Sequence, residues 1–156
     1  QLHDPQGLEG APGSAPGLGL LDYATTLAAH KTLENVNGEL CLPGQEPAAL
    51  TGYRIHMGVT HGTALERPVV QLAGQSEGAL SPDGQILATY CHGLFDTPQA
   101  LAALLSWAGH TPTSAFDPAV RREADLDRLA DAVEEHMDLA KLERWLPGIA
   151  GIAPPR

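Results

Sequence analysis

The alternation of apolar and polar residues is clearest between Thr51 and Val59, where it predicts a β-strand. Side chains of a strand point alternately to its two sides, so a period of two separates an apolar face from a polar face. The apolar face holds Tyr53, Ile55, Met57 and Val59, and the polar face holds Arg54, His56 and Gly58. We therefore predict a half-buried strand with one polar face.

Short apolar runs elsewhere predict further strands. From residue 25 to residue 60 strand-like runs alternate with turns, and residues 68–73 form another apolar run. Residues 81–84, Ser-Pro-Asp-Gly, place proline and glycine at positions typical of a turn. The run over residues 85–91 follows that turn and ends at His92, which a glycine follows. It predicts a strand that delivers the histidine to a loop.

The last third of the chain shows the spacing of helices. Residues 97–107 begin with threonine and proline, which suit an N-cap and a first turn, and a glycine ends the pattern at residue 109. A second helix is predicted over residues 117–136 and a third over residues 139–146. The apolar positions that recur at helical spacing in the second helix are Val120, Leu126, Leu129, Val133 and Met137.

The length and composition suit one globular domain with irregular ends. The chain has 156 residues, of which 43% are hydrophobic and 18% charged. Residues 1–17 are rich in glycine and proline and are predicted to form a loop or linker. Residues 18–149 are predicted to be the folded part, and residues 150–156 a frayed tail.

The charge of the chain bears on its partners. The formal net charge is −10, which disfavours nucleic acid and anionic membranes as partners because both need a basic surface. No apolar run is long enough for a membrane span, and the N-terminus lacks the pattern of a signal peptide. Two cysteines do not make a disulfide framework. We therefore expect a cytoplasmic protein.

His92 is the residue best placed for chemistry, because histidine transfers protons near neutral pH and strand ends face ligand-binding loops. The structural alternative is a buried histidine whose nitrogens are satisfied by neighbours. A dyad of Cys91 with His92 is disfavoured, since adjacent side chains in a strand point to opposite faces. Cys91 is instead predicted to be a small core residue, and Cys41 to be structural.

Other sites receive less support from the sequence. His56 and His61 are five positions apart, but no Cys-x-x-Cys or His-Glu-x-x-His pattern is present, so a metal site is disfavoured. Arg54 and His56 either line a polar cleft or form a solvated strand face. The glycines at residues 17 and 19 lack the lysine of a phosphate-binding loop, so ATP binding by this chain is disfavoured.

Several strings, in order along most of the chain, resemble the C-terminal part of the cobyric acid synthase family, glutamine-dependent amidotransferases of cobalamin (vitamin B12) biosynthesis. They are Asp4-Pro5-x-Gly7-x-Glu9-Gly10, Gly17-Leu18-Gly19-Leu20-Leu21, Lys31-Thr32-Leu33, Gly52-Tyr53-x-Ile55-His56-Met57-Gly58-Val59, Asp83-Gly84, Thr89-Tyr90-x-His92-Gly93-Leu94-Phe95-Asp96 and the acidic Asp127-Arg128-Leu129-Ala130-Asp131.

The resemblance implies an α/β fold, the flavodoxin-like three-layer fold of class I glutamine amidotransferases. It implies glutamine as substrate and an N-terminal ligase domain, outside this chain, that uses ATP and Mg²⁺. That ligase amidates a corrinoid, adenosylcobyrinic acid a,c-diamide, with the ammonia released from glutamine. No cofactor is expected in this chain itself.

The resemblance implies one catalytic residue here, His92, as the general acid and base. Glutamine-binding residues are not assigned. Leu94 stands where many class I amidotransferases have a glutamate that orients the histidine, so the orienting group is unknown. Arg54 stands where the family usually has glutamate, and Cys91 where leucine is common.

The nucleophilic cysteine of the family lies in a Gly-x-Cys-Gly-Gly segment before the stretch that Gln1 matches. We therefore expect an N-terminally truncated amidotransferase domain that is inactive alone. Its uncovered sheet edge and apolar faces predict marginal stability, self-association, or dependence on a partner. The alternative from another class is a non-catalytic interaction or regulatory module on the amidotransferase scaffold.

Overall fold

Nine strands and three α-helices are seen in the computed structural model, which describes residues 1–111 and 117–145. The strands are β1 (Leu2–Asp4), β2 (Gly13–Ala15), β3 (Ala24–Leu40), β4 (Ala48–His61), β5 (Val70–Leu72), β6 (Gln75–Glu77), β7 (Ala79–Leu80), β8 (Leu87–Ala88) and β9 (Cys91–His92). A short 3₁₀ helix covers Thr63–Glu66, and the α-helices are α1 (Pro98–Trp107), α2 (Pro118–His136) and α3 (Leu139–Trp145).

The main sheet runs in the order β2-β1-β3-β4-β9, with β5 and β6 added beside the C-terminal end of β3. β1 is parallel to β3, and the other pairs in this sheet are antiparallel. Strands β7 and β8 form a separate two-stranded ribbon. This mixed sheet with its helices confirms the predicted α/β class and is consistent with the flavodoxin-like fold of class I amidotransferases.

Three local predictions of strands differ from the structure. Residues 25–60 form two long paired strands rather than short runs between turns, because cross-strand hydrogen bonds extend past single polar residues and a bulge between Leu27 and Thr32 absorbs one irregularity. Residues 1–17 contain β1 and β2, since β3 offers its edge to β1. The predicted strand over residues 85–91 is interrupted between β8 and β9.

The buried face of β4 is the opposite of the one that its alternation predicts. Tyr53 and Val59 are 43% and 49% exposed, whereas the Arg54 side chain is only 13% exposed. Residues 75–79 and 88–90 lie over the face that carries Arg54 and His56. Burial is tolerated there because the Arg54 guanidinium pairs across the strands with the Glu34 carboxylate.

Helix α1 packs on the same side of the sheet as the core. It begins and ends as predicted, with Thr97 at the N-cap and Gly109 at positive φ after its last turn. Thr97 makes no capping hydrogen bond; its hydroxyl oxygen accepts the Thr51 N–H at 3.1 Å and ties the helix to β4. In the core cluster that includes α1, the most deeply buried residues are Leu40, Leu50, Val69, Val70 and Ala100.

The chain divides into two units, Gln1–Pro118 and Ala119–Arg156. In the second unit α2 ends at His136 as predicted, and α3 runs over Leu139–Trp145. Leu146, the predicted tail over residues 150–156, and residues 112–116 lie outside the described residues. No helix in the described part of the chain is long and apolar enough to cross a membrane.

Candidate functional site

His92 lies on β9 directly opposite Tyr53 of β4. The two rings are stacked, with centroids 4.9 Å apart and planes inclined by 6°. β9 is the last strand in the order of the main sheet, so one of its edges is unpaired among the described residues. The His92 ring lies at this edge of the sheet. The histidine therefore occupies an edge of the sheet, supported from one side by an aromatic ring.

The imidazole of His92 is exposed, so the alternative of a buried histidine satisfied by neighbours is wrong. Within residues 1–111 and 117–145, neither ring nitrogen of His92 makes a hydrogen bond. Both nitrogens are thus free to exchange a proton with a group that approaches the edge of the ring. A general acid or base needs at least one such nitrogen within reach of its substrate.

The backbone around His92 depends on two glycines. A Cβ at Gly52 would lie 2.0 Å from the His92 carbonyl oxygen, so only glycine lets β9 approach β4 this closely. Gly93 has a φ of +87°, which turns the chain sharply after the histidine. The turn closes when the Asp96 N–H donates to the Gly93 carbonyl at 2.9 Å.

The alternation of side chains along a strand predicts that Cys91 and His92 do not form a dyad, and the structure agrees. Cys91 is 5% exposed and belongs to the core, on the face opposite to the exposed imidazole. The Cys91 thiol contacts the backbone carbonyl of His92, at 3.7 Å, and makes no hydrogen bond to the imidazole ring. Burial and the Glu77 carboxylate raise the pKa of the Cys91 thiol, and the Arg54 guanidinium partly opposes them. These factors disfavour a nucleophilic thiolate.

Cys41 is also remote from the histidine. It follows the last residue of β3, and its backbone N–H donates to the Val69 carbonyl at 2.8 Å. Burial and the neighbouring Glu39 carboxylate raise the pKa of its thiol. Both cysteines of the chain are therefore structural, and the structure brings neither of them to His92.

A cavity of about 540 Å³ lies on the other face of β4, beneath residues 75–79 and 88–90. Arg54 and His56 line it, which favours the polar cleft over the solvated strand face. His56 stacks on Tyr90 with centroids 4.1 Å apart, and its Nδ1 lies 3.0 Å from the Gly58 carbonyl. Since His92 does not line this cavity, the cleft and the exposed histidine are separate features.

Glu77 organises the wall of this cavity, and the sequence offers no signal for it. It is 9% exposed, and its carboxylate accepts the Thr89 hydroxyl and the Tyr90 N–H, each at 2.5 Å. Thr89 and Tyr90 lie between β8 and β9, where the predicted strand is interrupted. The Tyr90 hydroxyl in turn lies 2.7 Å from that of Thr60. The polar groups of the cleft thus satisfy one another, which is the pattern of a structural network.

Metal-binding groups are not assembled around either feature. Among the residues that the structure describes, no three histidine, cysteine, aspartate or glutamate side chains converge in a way that could hold an ion. His56 lies in the cleft, whereas His61 is exposed at the end of β4. The chemistry available at the sheet edge is therefore that of an exposed imidazole.

The region around His92 matches a known protein family. The family model of the CobB/CobQ-like glutamine amidotransferase domain matches residues 1–100, which include both long strands, the cleft and the His92 turn. No solved structure matches the chain at a significant level. The matched region covers most of the chain and ends within α1. The chain therefore belongs to the family of CobB/CobQ-like glutamine amidotransferase domains.

Proposed function

We propose that His92 is the general acid and base of a glutaminase, and that the whole protein is a cobyric acid synthase. The observation that carries the first part is the exposed imidazole at the sheet edge, whose ring nitrogens have no hydrogen-bond partner among the described residues. It lies inside the region that matches an amidotransferase family whose substrate is glutamine.

In this mechanism His92 takes the proton from a cysteine thiol, and the thiolate attacks the side-chain amide carbon of glutamine. The protonated imidazole then donates to the departing nitrogen, so that ammonia leaves and a thioester remains. Water attacks the thioester while His92 accepts its proton, and glutamate and the thiol are released. The imidazole returns to its neutral form, and the net reaction is hydrolysis of one amide bond.

The thiol must come from outside these 156 residues, since Cys91 is buried on the opposite face and Cys41 lies at the end of β3. We propose that a Gly-x-Cys-Gly-Gly segment of the whole protein supplies it beside the free edge of β9. The isolated chain is then inactive with glutamine. Its exposed Leu33, Tyr53 and Phe95 and the open edge of β9 support self-association or dependence on a partner.

The pathway assignment rests on the motif strings shared with cobyric acid synthases. In that proposal a ligase domain with ATP and Mg²⁺ uses the ammonia to amidate a corrinoid, and the enzyme is cytoplasmic. The test is a corrinoid amidation assay on the whole protein with glutamine or free ammonia as nitrogen source. If the enzyme amidates another acceptor but not adenosylcobyrinic acid a,c-diamide, the pathway assignment is wrong. The glutaminase proposal is unaffected by that result.

His92→Ala in the whole protein tests the role of the imidazole. We expect glutamine-dependent activity to fall by about 10²–10⁴-fold, the usual contribution of a general acid and base, while ammonia-dependent activity is retained. His61→Ala is the matched control, because His61 is an exposed histidine at the far end of β4. Unchanged glutaminase activity in His92→Ala would refute the role of His92. His92-dependent ammonia release by the isolated chain would instead refute the proposal that this chain alone is inactive.

The separation of both cysteines from His92 favours a second candidate, a non-catalytic interaction or regulatory module. The two candidates differ in the codons upstream of Gln1. A Gly-x-Cys-Gly-Gly segment there supports the enzyme, whereas an upstream segment without cysteine supports the module.

A further inference from the structure

The ring of Tyr53 stacks on the ring of His92. A general base is usually held in place by a hydrogen bond from its second ring nitrogen to a carboxylate or a carbonyl. Among the described residues no such bond reaches His92, and the near-parallel Tyr53 ring at 4.9 Å is the neighbour that its imidazole contacts.

We propose that Tyr53 is the positioning residue of His92, acting through ring stacking instead of a hydrogen bond. This inference rests on the proposed function of His92. Tyr53 does not touch the substrate; it acts through the imidazole. The chemistry it serves is the transfer of a proton between His92, the thiol and the nitrogen of glutamine.

The geometry explains how a stack orients the ring. With an inclination of 6° and centroids 4.9 Å apart, the rings form an offset stack in which the tyrosine overlaps part of one imidazole face and leaves both nitrogens on the free perimeter. Rotation of His92 out of this plane would lose the contact. The cross-strand pairing of Tyr53 with His92 holds the two backbones in register, so the ring of one residue is delivered directly beside the other.

The stack also suits the charge that develops in the reaction. When His92 accepts a proton it becomes a cation, and a cation over the face of an aromatic ring is attracted by the ring quadrupole. The contact therefore holds the ring in both protonation states. The Tyr53 hydroxyl is not required for either effect, so phenylalanine should replace tyrosine and an aliphatic side chain should not.

The competing interpretation is that Tyr53 only covers the sheet. Tyr53 is 43% exposed and Leu33, on the neighbouring strand, is 71% exposed, so both contribute apolar surface to the same region. Leu33 pairs with Ile55 and not with Tyr53. Leu33→Ala is therefore a matched control that removes exposed apolar surface without touching the stack.

The first measurement is NMR on the whole protein. The His92 ring protons, assigned by their loss in His92→Asn, should be shifted upfield by the Tyr53 ring and show NOEs to it. We expect Tyr53→Leu to remove the upfield shift, and Tyr53→Phe and Leu33→Ala to retain it. Unshifted His92 resonances in the unsubstituted chain, or resonances unaffected by Tyr53→Leu, would overturn the stack.

The second measurement is glutaminase kinetics in the whole protein. We expect Tyr53→Leu to lower kcat about ten- to a hundredfold and to leave KM for glutamine nearly unchanged. Displacing a catalytic group by about 1 Å has effects of this size. Tyr53→Phe should restore kcat to within about threefold, and ammonia-dependent activity should not change. Equal losses of glutamine- and ammonia-dependent activity would indicate a purely structural role and overturn the inference.

The two proposals fail in different ways. If His92→Ala leaves glutaminase activity intact, the role of His92 is wrong and the kinetic argument for Tyr53 falls with it. If His92→Ala abolishes the activity while Tyr53→Leu leaves kcat unchanged, only the positioning role is wrong.

Discussion

Gly52 lies against the carbonyl of His92, and the missing side chain is what lets the two strands meet. A Cβ built at Gly52 would be 2.0 Å from the His92 oxygen and 3.3 Å from the Cys91 sulfur. The strand that carries the candidate base is therefore held by a close backbone contact as well as by pairing. This contact explains why a two-residue strand, β9, keeps a defined position.

Gly52→Ala should displace β9. We expect the free energy of unfolding to fall by about 1–3 kcal/mol, because the methyl group would collide with backbone that cannot move without breaking the pairing. Urea denaturation followed by circular dichroism measures this. Gly10→Ala is the control, since nothing lies within 4 Å of a Cβ at that position, and it should change stability by less than about 0.5 kcal/mol. Equal effects of the two changes would contradict the close approach.

Removal of the Glu77 carboxylate should loosen the segment before β9. Glu77→Ala leaves the Tyr90 N–H and the Thr89 hydroxyl without their acceptor, which should cost about 1–3 kcal/mol of unfolding free energy. Glu46→Ala, at an exposed loop position, should be nearly neutral. Hydrogen exchange of the Tyr90 amide provides a local readout. An amide that stays equally protected in Glu77→Ala would show that the carboxylate is not its partner.

Cys91 should be the slower of the two thiols to alkylate. Burial and Glu77 raise the pKa of Cys91 above its ordinary value of 9.0, and the residue is only 5% exposed. Iodoacetamide labelling of Cys41→Ala and Cys91→Ala, read by mass spectrometry, separates the two rates. Faster labelling of Cys91 than of Cys41 would contradict its place in the core.

The raised pKa of Cys91 also predicts a dependence of stability on alkaline pH. Its folded pKa lies above the unfolded value of 9.0, so its contribution is complete below pH 9.0 and is lost as the pH rises through the folded pKa. Unfolding free energies measured from neutral to alkaline pH should therefore fall less steeply in Cys91→Ala than in the unsubstituted chain. Parallel curves would contradict the prediction.

Asp83 should stabilise the turn before β8 only while it is ionised. The Ser81 hydroxyl and the Gln85 N–H donate to its carboxylate and lower its pKa below the ordinary 3.8. Its contribution is therefore present above pH 3.8 and is lost as the pH falls through the lowered pKa.

Thermal melts of Asp83→Asn against the unsubstituted chain test this. The Tm of the variant should be lower near neutral pH, and the two values should converge below pH 3.8. Asp127→Asn, at an exposed position of α2, is the control and should leave Tm nearly unchanged. A difference in Tm that persists unchanged in acid would show that the charge of Asp83 is not responsible.

Local chemistry was sufficient to predict several elements. Thr97-Pro98 and Asp117-Pro118 begin helices in the sequence and in the structure, and the turn over residues 81–84 forms through bonds to the Ser81 hydroxyl. These signals act over a few residues, so no distant partner is needed to interpret them. The opposite facing of Cys91 and His92 follows in the same way from the period of a strand.

The buried face of β4 could not be predicted from its alternation. Tyr53 and Val59 are more apolar than Arg54 and His56, yet the second pair is covered. The charge of Arg54 is satisfied by Glu34, which is twenty residues away along the chain but directly opposite in the sheet. A pattern of hydrophobicity within one strand contains no information about such a partner.

The sequence by itself determined the elements that depend on neighbours along the chain, the family of the domain, and His92 as the candidate base. Only the tertiary structure decided that this imidazole is exposed, that the Tyr53 ring stacks on it, that the Glu77 carboxylate binds the segment before β9, and that Cys41 lies at the distant end of β3. The reason is physical: backbone turns and caps are short-range effects, whereas stacking, burial and charge pairing join residues that are brought together only when β4 and β9 pair.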